Sequence, residues 1–282
     1  MPERVAIITD STAYLPDGLA EQMSVTVVPL HVVLDGVSWV EGVDVTPSQV
    51  AAALIGRRTS VTTSQPSPTT FLAAYRAALA AGATSVVSVH LSAELSGTVH
   101  AAGVAAEEVG PAVRVVDSRS TAMGLGFAVL AAAGVAAAGG DAEAAVAAAR
   151  ETAARTTTMF YVDTLEHLRR GGRIGAAQKW LGTALAVKPL LHVVDGRIVP
   201  LEKVRTTARA IARLEELVVL AADGGQVDLA VQHLAASQKA AELTERLTAR
   251  LSAVRTVYLS EVGAVVGAHV GPGLLGVVIV RC

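Results

Sequence analysis

The chain has 282 residues, a formal net charge of −2 and a hydrophobic share of 52%, with aromatic residues at only 3%. That length suits two moderate domains; the dispersed charge offers no continuous basic patch for a nucleic acid, and the scarcity of rings makes any ligand cavity aliphatic. The only cysteine, Cys282, is the last residue and cannot form an intrachain disulfide or a metal cluster, so a reducing, cytoplasmic setting is expected.

Met1-Pro2-Glu3-Arg4 and the short run Val5–Ile8 lack the apolar core and cleavage site of a signal peptide, so export by that route is not expected. The first half then alternates β-branched runs with Ala-rich segments, which predicts an α/β fold with a largely parallel sheet flanked by helices. Its strands are expected at Val5–Ile8, Val25–Val28, Val86–His90 and Val113–Val116. Thr46-Pro47-Ser48-Gln49 carries a capping box with proline at the first helical position, and Ser67-Pro68 repeats the cap-then-proline signal. Ser120–Gly140 is free of charge but mostly Ala and Gly, which predicts a buried helix rather than a membrane span. Within it, Gly124-Leu125-Gly126 lacks the third glycine of a dinucleotide loop and reads as helix packing. Asp141 opens another helix, and a domain boundary is expected after Thr158, giving domains 1–158 and 159–282.

The second half reads as another α/β domain with a mixed sheet. It opens with a strand at Met159–Val162 and a capping box in Asp163-Thr164-Leu165-Glu166. Leu190–Val194 and Arg197–Leu201, joined by Asp195-Gly196, predict a β-hairpin with a two-residue turn. Helices over Thr207–Ala222 and Gln238–Leu251 alternate with strands at Val227–Val231 and Val254–Leu259. The uncharged stretch Val262–Val280 contains His269 and Gly271-Pro272-Gly273, which predicts a buried strand and an irregular loop rather than a membrane span.

No Walker-type loop, Gly-x-Ser-x-Gly elbow or His-Glu-x-x-His helix occurs, and the seven histidines show no metal-ligand spacing. These absences count against those specific enzyme classes without excluding enzymes in general, and no metal site or cofactor is expected. Leu91–Thr98 follows an apolar strand and precedes an Ala-rich helix. With Ser96 as N-cap, the amides of Gly97 and Thr98 would face an anion at the positive end of the helix, although from this loop alone a plain helix cap is the favoured reading. Thr62-Thr63-Ser64 gives a second hydroxyl cluster before a proline-initiated helix. Thr9-Asp10-Ser11-Thr12 gives a third, with Asp10 either organising loop amides or lying in a solvated turn. An enzyme acting on a small carboxylate or phosphate, with His269 as acid–base and the Ser96 loop as cradle, is the alternative function, and an acyl-sensing regulatory protein is another.

Thr9-Asp10-Ser11-Thr12, Val28-Pro29-Leu30, Thr63-Ser64-Gln65-Pro66, Leu95-Ser96-Gly97-Thr98, Val116-Asp117-Ser118, Gly171-Gly172-Arg173-Ile174, Lys203-Val204-Arg205-Thr206 and His269-Val270-Gly271-Pro272-Gly273 form an ordered series. Together they resemble the DegV family of bacterial fatty-acid-binding proteins, including subunits that present acyl chains to fatty acid kinase. The resemblance implies two α/β domains holding a long-chain fatty acid, with Thr63 and Ser96 hydrogen-bonded to its carboxyl group. It further implies His269 close to the head group, Arg173 supporting it, and Arg205 on the surface facing the kinase. Gly97 and Thr62 join the expected ligand-binding set, with Ser64 and Thr98 in capping or supporting roles. The chain departs from many relatives in having Ala93, where they carry a second serine after Ser92. Binding and presentation, without catalysis by the chain itself, is the implied function.

Overall fold

The computed structural model describes residues 3–56, 60–180 and 187–282; Met1 and Pro2 of the expected non-signal start lie outside them. The chain runs β1 (Val5–Asp10), α1 (Leu19–Gln22), β2 (Val25–Val28), β3 (His31–Leu34), β4 (Val37–Val40), α2 (Pro47–Gly56), β5 (Val61–Ser64), α3 (Pro68–Ala80), β6 (Ser85–His90), α4 (Thr98–Val109), β7 (Val113–Asp117), α5 (Met123–Ala137) and α6 (Ala142–Ala154). It continues through β8 (Thr156–Tyr161), α7 (Glu166–Arg170), β9 (Lys188–Val194), β10 (Arg197–Val204), α8 (Thr207–Ala222), β11 (Gln226–His233), α9 (Ser237–Arg250), β12 (Ala253–Glu261), α10 (Ala264–Val270) and β13 (Leu275–Arg281). These elements form two compact units, Met1–His31 with Ser64–Ala154 and Val32–Thr63 with Arg155–Cys282.

The first unit is built on a parallel sheet in the order β2-β1-β6-β7. Every residue of β6 is buried, as a parallel strand between two neighbours and two helical layers requires. On one side Phe71 and Tyr75 of α3 pack with Ala101, Ala102 and Ala105 of α4; on the other, α5 and α6 pack through alanine and valine. The uncharged stretch around α5 is this buried helix, and among the described residues no helix is long and apolar enough to cross a membrane. Gly126 is a packing glycine: a Cβ there would lie 2.9 Å from the Ala13 carbonyl oxygen.

The second unit contains a mixed sheet in the order β10-β9-β8-β13-β11-β12, in which β11 and β12 are parallel and the other described pairs antiparallel. Leu229, Val231, Val277 and Leu190 pack under Leu214 and Val218 of α8 and Leu243 and Leu247 of α9. The β9–β10 hairpin has the expected turn, with Asp195 at φ 50° and Gly196 at φ 79° between Val194 and Arg197.

Several expectations change. The units are discontinuous, because Val32–Thr63 groups with the second half of the chain, whereas contiguous domains 1–158 and 159–282 were expected. The short strands β3, β4 and β5 form a three-stranded sheet that the residue pattern did not announce; at four residues each, they are too short to display alternation. β8 begins at Thr156, three residues before the strand expected at Met159–Val162 and ahead of the expected boundary after Thr158. The capping box at Asp163 does not form: the Glu166 amide donates to Thr164 Oγ1 at 3.1 Å, while Asp163 is taken by Tyr161 and by Lys188 at 2.7 Å. By contrast, Thr46 and Gln49 make the reciprocal box that opens α2, and Ser67 caps α3.

Candidate functional site

In the second unit, Thr63 lies on β5 and His269 in the last turn of α10, an ordered short helix where an irregular loop was expected. Two local devices hold α10. The buried carboxylate of Glu41 accepts the Val265 amide at 2.7 Å, and Gly271, at φ +76°, ends the helix with its amide donating to the Gly267 carbonyl at 2.9 Å. Thr63 Oγ1 and His269 Nε2 are then 2.8 Å apart.

The other ring nitrogen of His269 is sealed against Gly171, with no hydrogen-bond partner among the described residues. A Cβ on Gly171 would fall on the imidazole. The relation is reciprocal, because a Cβ on Gly271 would fall on the ring of His167 from α7. Each helix end thus seats its histidine on the other's glycine. Arg173 Nη1 donates to the Gly171 carbonyl at 2.6 Å, fixing the floor beneath His269.

Burial, and secondarily the nearby charge of Arg173, lowers the His269 pKa from 6.5 to about 4. The ring is therefore neutral at neutral pH. Of its two tautomers, the one protonated at Nε2 leaves only a lone pair, not an N–H, unpaired at Nδ1. Nε2 then donates to Thr63 Oγ1 and frees the threonine hydroxyl proton for a further acceptor. The arrangement thus presents a hydroxyl donor backed by a neutral imidazole. Thr62 and Ser64 flank Thr63 on the strand, so they point to its opposite face and are exposed. Arg205 is exposed immediately before Thr206, the N-cap of α8.

In the first unit, Ser96, Gly97 and Thr98 open α4. The N-cap is Gly97, one residue later than expected, and no side chain caps the helix. Ser96 instead pairs its hydroxyl with Thr98 Oγ1 at 2.9 Å. The Gln65 side-chain amide lies over Gly97, where a Cβ would come 2.9 Å from its Cδ, so a larger residue there would push this exposed side chain aside. The uncapped first turn, the Ser96 hydroxyl and the Gln65 amide make a set of neutral donors suited to an anion. Asp10 organises loop amides, accepting from Thr12 and from Leu91, each at 3.0 Å.

Gly171, His167 and Gln65 were not singled out from sequence. Gly171-Gly172 was visible as a motif, but its purpose depends on a ring arriving from a helix about a hundred residues later. Among the described residues, no group of three His, Cys, Asp or Glu side chains is placed to hold a metal.

The DegV family profile, described as "Uncharacterised protein, DegV family", matches residues 4–281. A DegV domain-containing protein of Streptomyces coelicolor is 56% identical over 279 residues, covering 99% of each chain. One from Mycobacterium tuberculosis is 42% identical over 274 residues, covering 97% of this chain and 96% of its own. Among solved structures, a DegV family protein from Thermus thermophilus described for its fatty acid binding superposes with a TM-score of 0.94 at 34% identity, covering 99% of this chain and 100% of that one. DegV of Bacillus subtilis, described as a fatty acid binding protein, gives 0.89 at 34% identity with the same coverage. With a family match spanning nearly every residue and close relatives along its full length, the chain belongs to the DegV family.

Proposed function

We propose that this protein binds a long-chain fatty acid and presents its carboxyl group to a fatty acid kinase for acyl-phosphate formation, without catalysing the transfer itself. The observation that carries the binding half of this reading is the Thr63–His269 pair at 2.8 Å: a hydroxyl whose proton is free to donate, backed by a neutral imidazole. The fatty acid binding described for the Thermus thermophilus and Bacillus subtilis proteins supports the ligand class. Thr63 and Ser96 are the hydroxyl donors in this reading, with Gly97 contributing backbone, Arg173 supporting His269, and Arg205 turned to the kinase.

Neutral donors suit a carboxylate on a long acyl chain. Burying the chain contributes about 0.8 kcal/mol per methylene, so affinity does not require a buried ion pair with its desolvation cost. An aliphatic composition with few aromatic rings matches such a ligand.

Lipid extracted from the purified protein and identified by mass spectrometry should be a long-chain fatty acid. Protein that is empty and also fails to take up palmitate or oleate refutes the reading. Thr63→Ala and Ser96→Ala, made singly, should each weaken acyl binding with the fold intact. Loaded protein should yield acyl phosphate only when a fatty acid kinase and ATP are added; acyl phosphate formed from loaded protein and ATP alone refutes the presentation role.

A further inference from the structure

A fully buried polar chain runs through the first unit behind the Ser96 loop. Both oxygens of Asp10 accept from backbone amides, Oδ1 from Thr12 and Oδ2 from Leu91, so the side chain is oriented as an acceptor at both ends. Oδ1 also takes the Thr12 hydroxyl at 2.5 Å, and Oδ2 faces His90 Nδ1 at 3.0 Å, which places a proton on that nitrogen. His90 Nε2 meets Ser88 Oγ at 2.7 Å, and Ser88 Oγ receives the Tyr75 hydroxyl at 3.0 Å. With the Ser88 proton directed to Nε2, every donor in the chain has an acceptor. Asp10, Ser88, His90 and Tyr75 all have zero fractional exposure.

Packing alone does not require this arrangement. Well-fitted apolar side chains would join β1 to β6 without the desolvation cost of a carboxylate. The carboxylate supplies direction: it fixes the Leu91 amide, the point at which the chain leaves β6. From there the Ser92 amide is held by the Ser120 carbonyl at 2.8 Å, and the Ser92 carbonyl accepts the Leu95 and Ser96 amides at 3.0 and 3.1 Å. The turn that ends in Ser96 is thus built stepwise from the atom that Asp10 holds.

We infer that Asp10, with His90 as its buried partner, is a positioning residue for the Ser96 hydroxyl, and so sets the affinity of that loop for a carboxylate. The inference rests on the reading of Ser96 as a donor to the fatty acid carboxyl group. Asp10 touches no ligand in this scheme. It acts through Leu91 and the Ser92 turn.

A double-mutant cycle on the full-length, delipidated protein tests this, with oleate affinity as the readout. Asp10→Asn turns one acceptor into a donor among four converging donors, and should weaken oleate binding about ten-fold, comparable to one lost hydrogen bond. In a Ser96→Ala background the same change should have little further effect, because the hydroxyl it positions is already gone. Equal losses in both backgrounds, or no loss in either, overturn the inference. Amide hydrogen exchange should quicken across Leu91–Thr98 in Asp10→Asn while β13 stays protected, and unchanged exchange in the loop also counts against it.

If Asp10→Asn does not fold, His90→Asn and His90→Leu replace it in the cycle. Asparagine can still donate to Asp10 and should retain affinity where leucine loses it; identical behaviour of the two overturns the positioning role. Should Ser96→Ala alone leave oleate affinity unchanged, the carboxyl-donor reading itself fails, an outcome distinct from an Asp10 effect that is absent while Ser96→Ala weakens binding.

Discussion

Acidifying the delipidated protein probes the state of His269. Burial and the Arg173 charge hold its pKa at about 4, against 6.5 for an ordinary histidine. Between those values the unfolded chain binds a proton at this residue that the folded chain refuses, so stability rises with pH through the window. The contribution is complete above 6.5 and is lost as pH falls toward 4. At about 1.4 kcal/mol per pKa unit, the loss is about 2 kcal/mol near pH 5 and at most about 3 kcal/mol below the folded pKa. Burial lowers His192 and His233 in the same direction, so they add to the slope of the whole protein. His269→Gln isolates the one residue: its urea stability should fall less between neutral pH and pH 5 than that of the parent, by about 2 kcal/mol. A side-chain NMR titration should place the His269 midpoint near 4. A midpoint at or above 6.5, or a His269→Gln protein that keeps the full slope, refutes the account of a desolvated ring on Gly171.

Gly171→Ala puts a methyl on the His269 ring and should drive it outward, raising its NMR pKa toward 6.5 and weakening fatty acid binding about ten-fold, as for one lost hydrogen bond. Leu229→Ala empties a fully buried position in the core of the second unit and should cost about 2–5 kcal/mol by urea denaturation. Glu215 on α8 is buried, which alone would raise its pKa, but hydrogen bonds from Arg250 and Arg246 of α9, both at 2.8 Å, outweigh this and hold it below the usual range. Glu215→Gln should therefore cost about 1–2 kcal/mol at neutral pH, since the two arginines remain half-exposed, and the difference should vanish in acid as the parent carboxylate protonates. Thr206→Ala removes the acceptor that caps α8 through the Arg209 amide at 3.3 Å and should lower stability by about 1 kcal/mol, measured by thermal denaturation.

Local chemistry was legible wherever one stretch of chain contained both halves of an interaction. Thr46 with Gln49, Ser67 before Pro68, and Asp195-Gly196 each carry the acceptor, donor or backbone freedom that their turn requires, and each forms as read. The buried strand Ser85–His90 announced itself by its β-branched Val86, Val87 and Val89, and the Ala-rich helices by their length. Legibility failed where the deciding partner was remote, as Lys188 is for Asp163, or where several nearby groups compete for one side chain. Asp163 looks like a helix cap from its neighbours, but Tyr161 and Lys188 claim it. Ser96 looks like an N-cap, but Thr98 takes its hydroxyl and leaves Gly97 at the helix start.

The same division runs through the candidate site. Thr63, Ser96, His269 and Arg173 were marked as residues by their motifs, because hydroxyls, glycines and a single imidazole at those places form a recognisable series. Their electrostatics belongs to tertiary structure: Glu41 caps a helix more than two hundred residues away, Gly171 makes room for a ring, and burial keeps that ring neutral. The sequence by itself determined two α/β assemblies and an aliphatic interior, since these depend on composition and periodicity. Only the folded structure decided that Val32–Thr63 joins the second unit, that His269 is neutral and seated on Gly171, and that Asp10 holds the Leu91 amide, because each requires atoms distant along the chain to share one desolvated space.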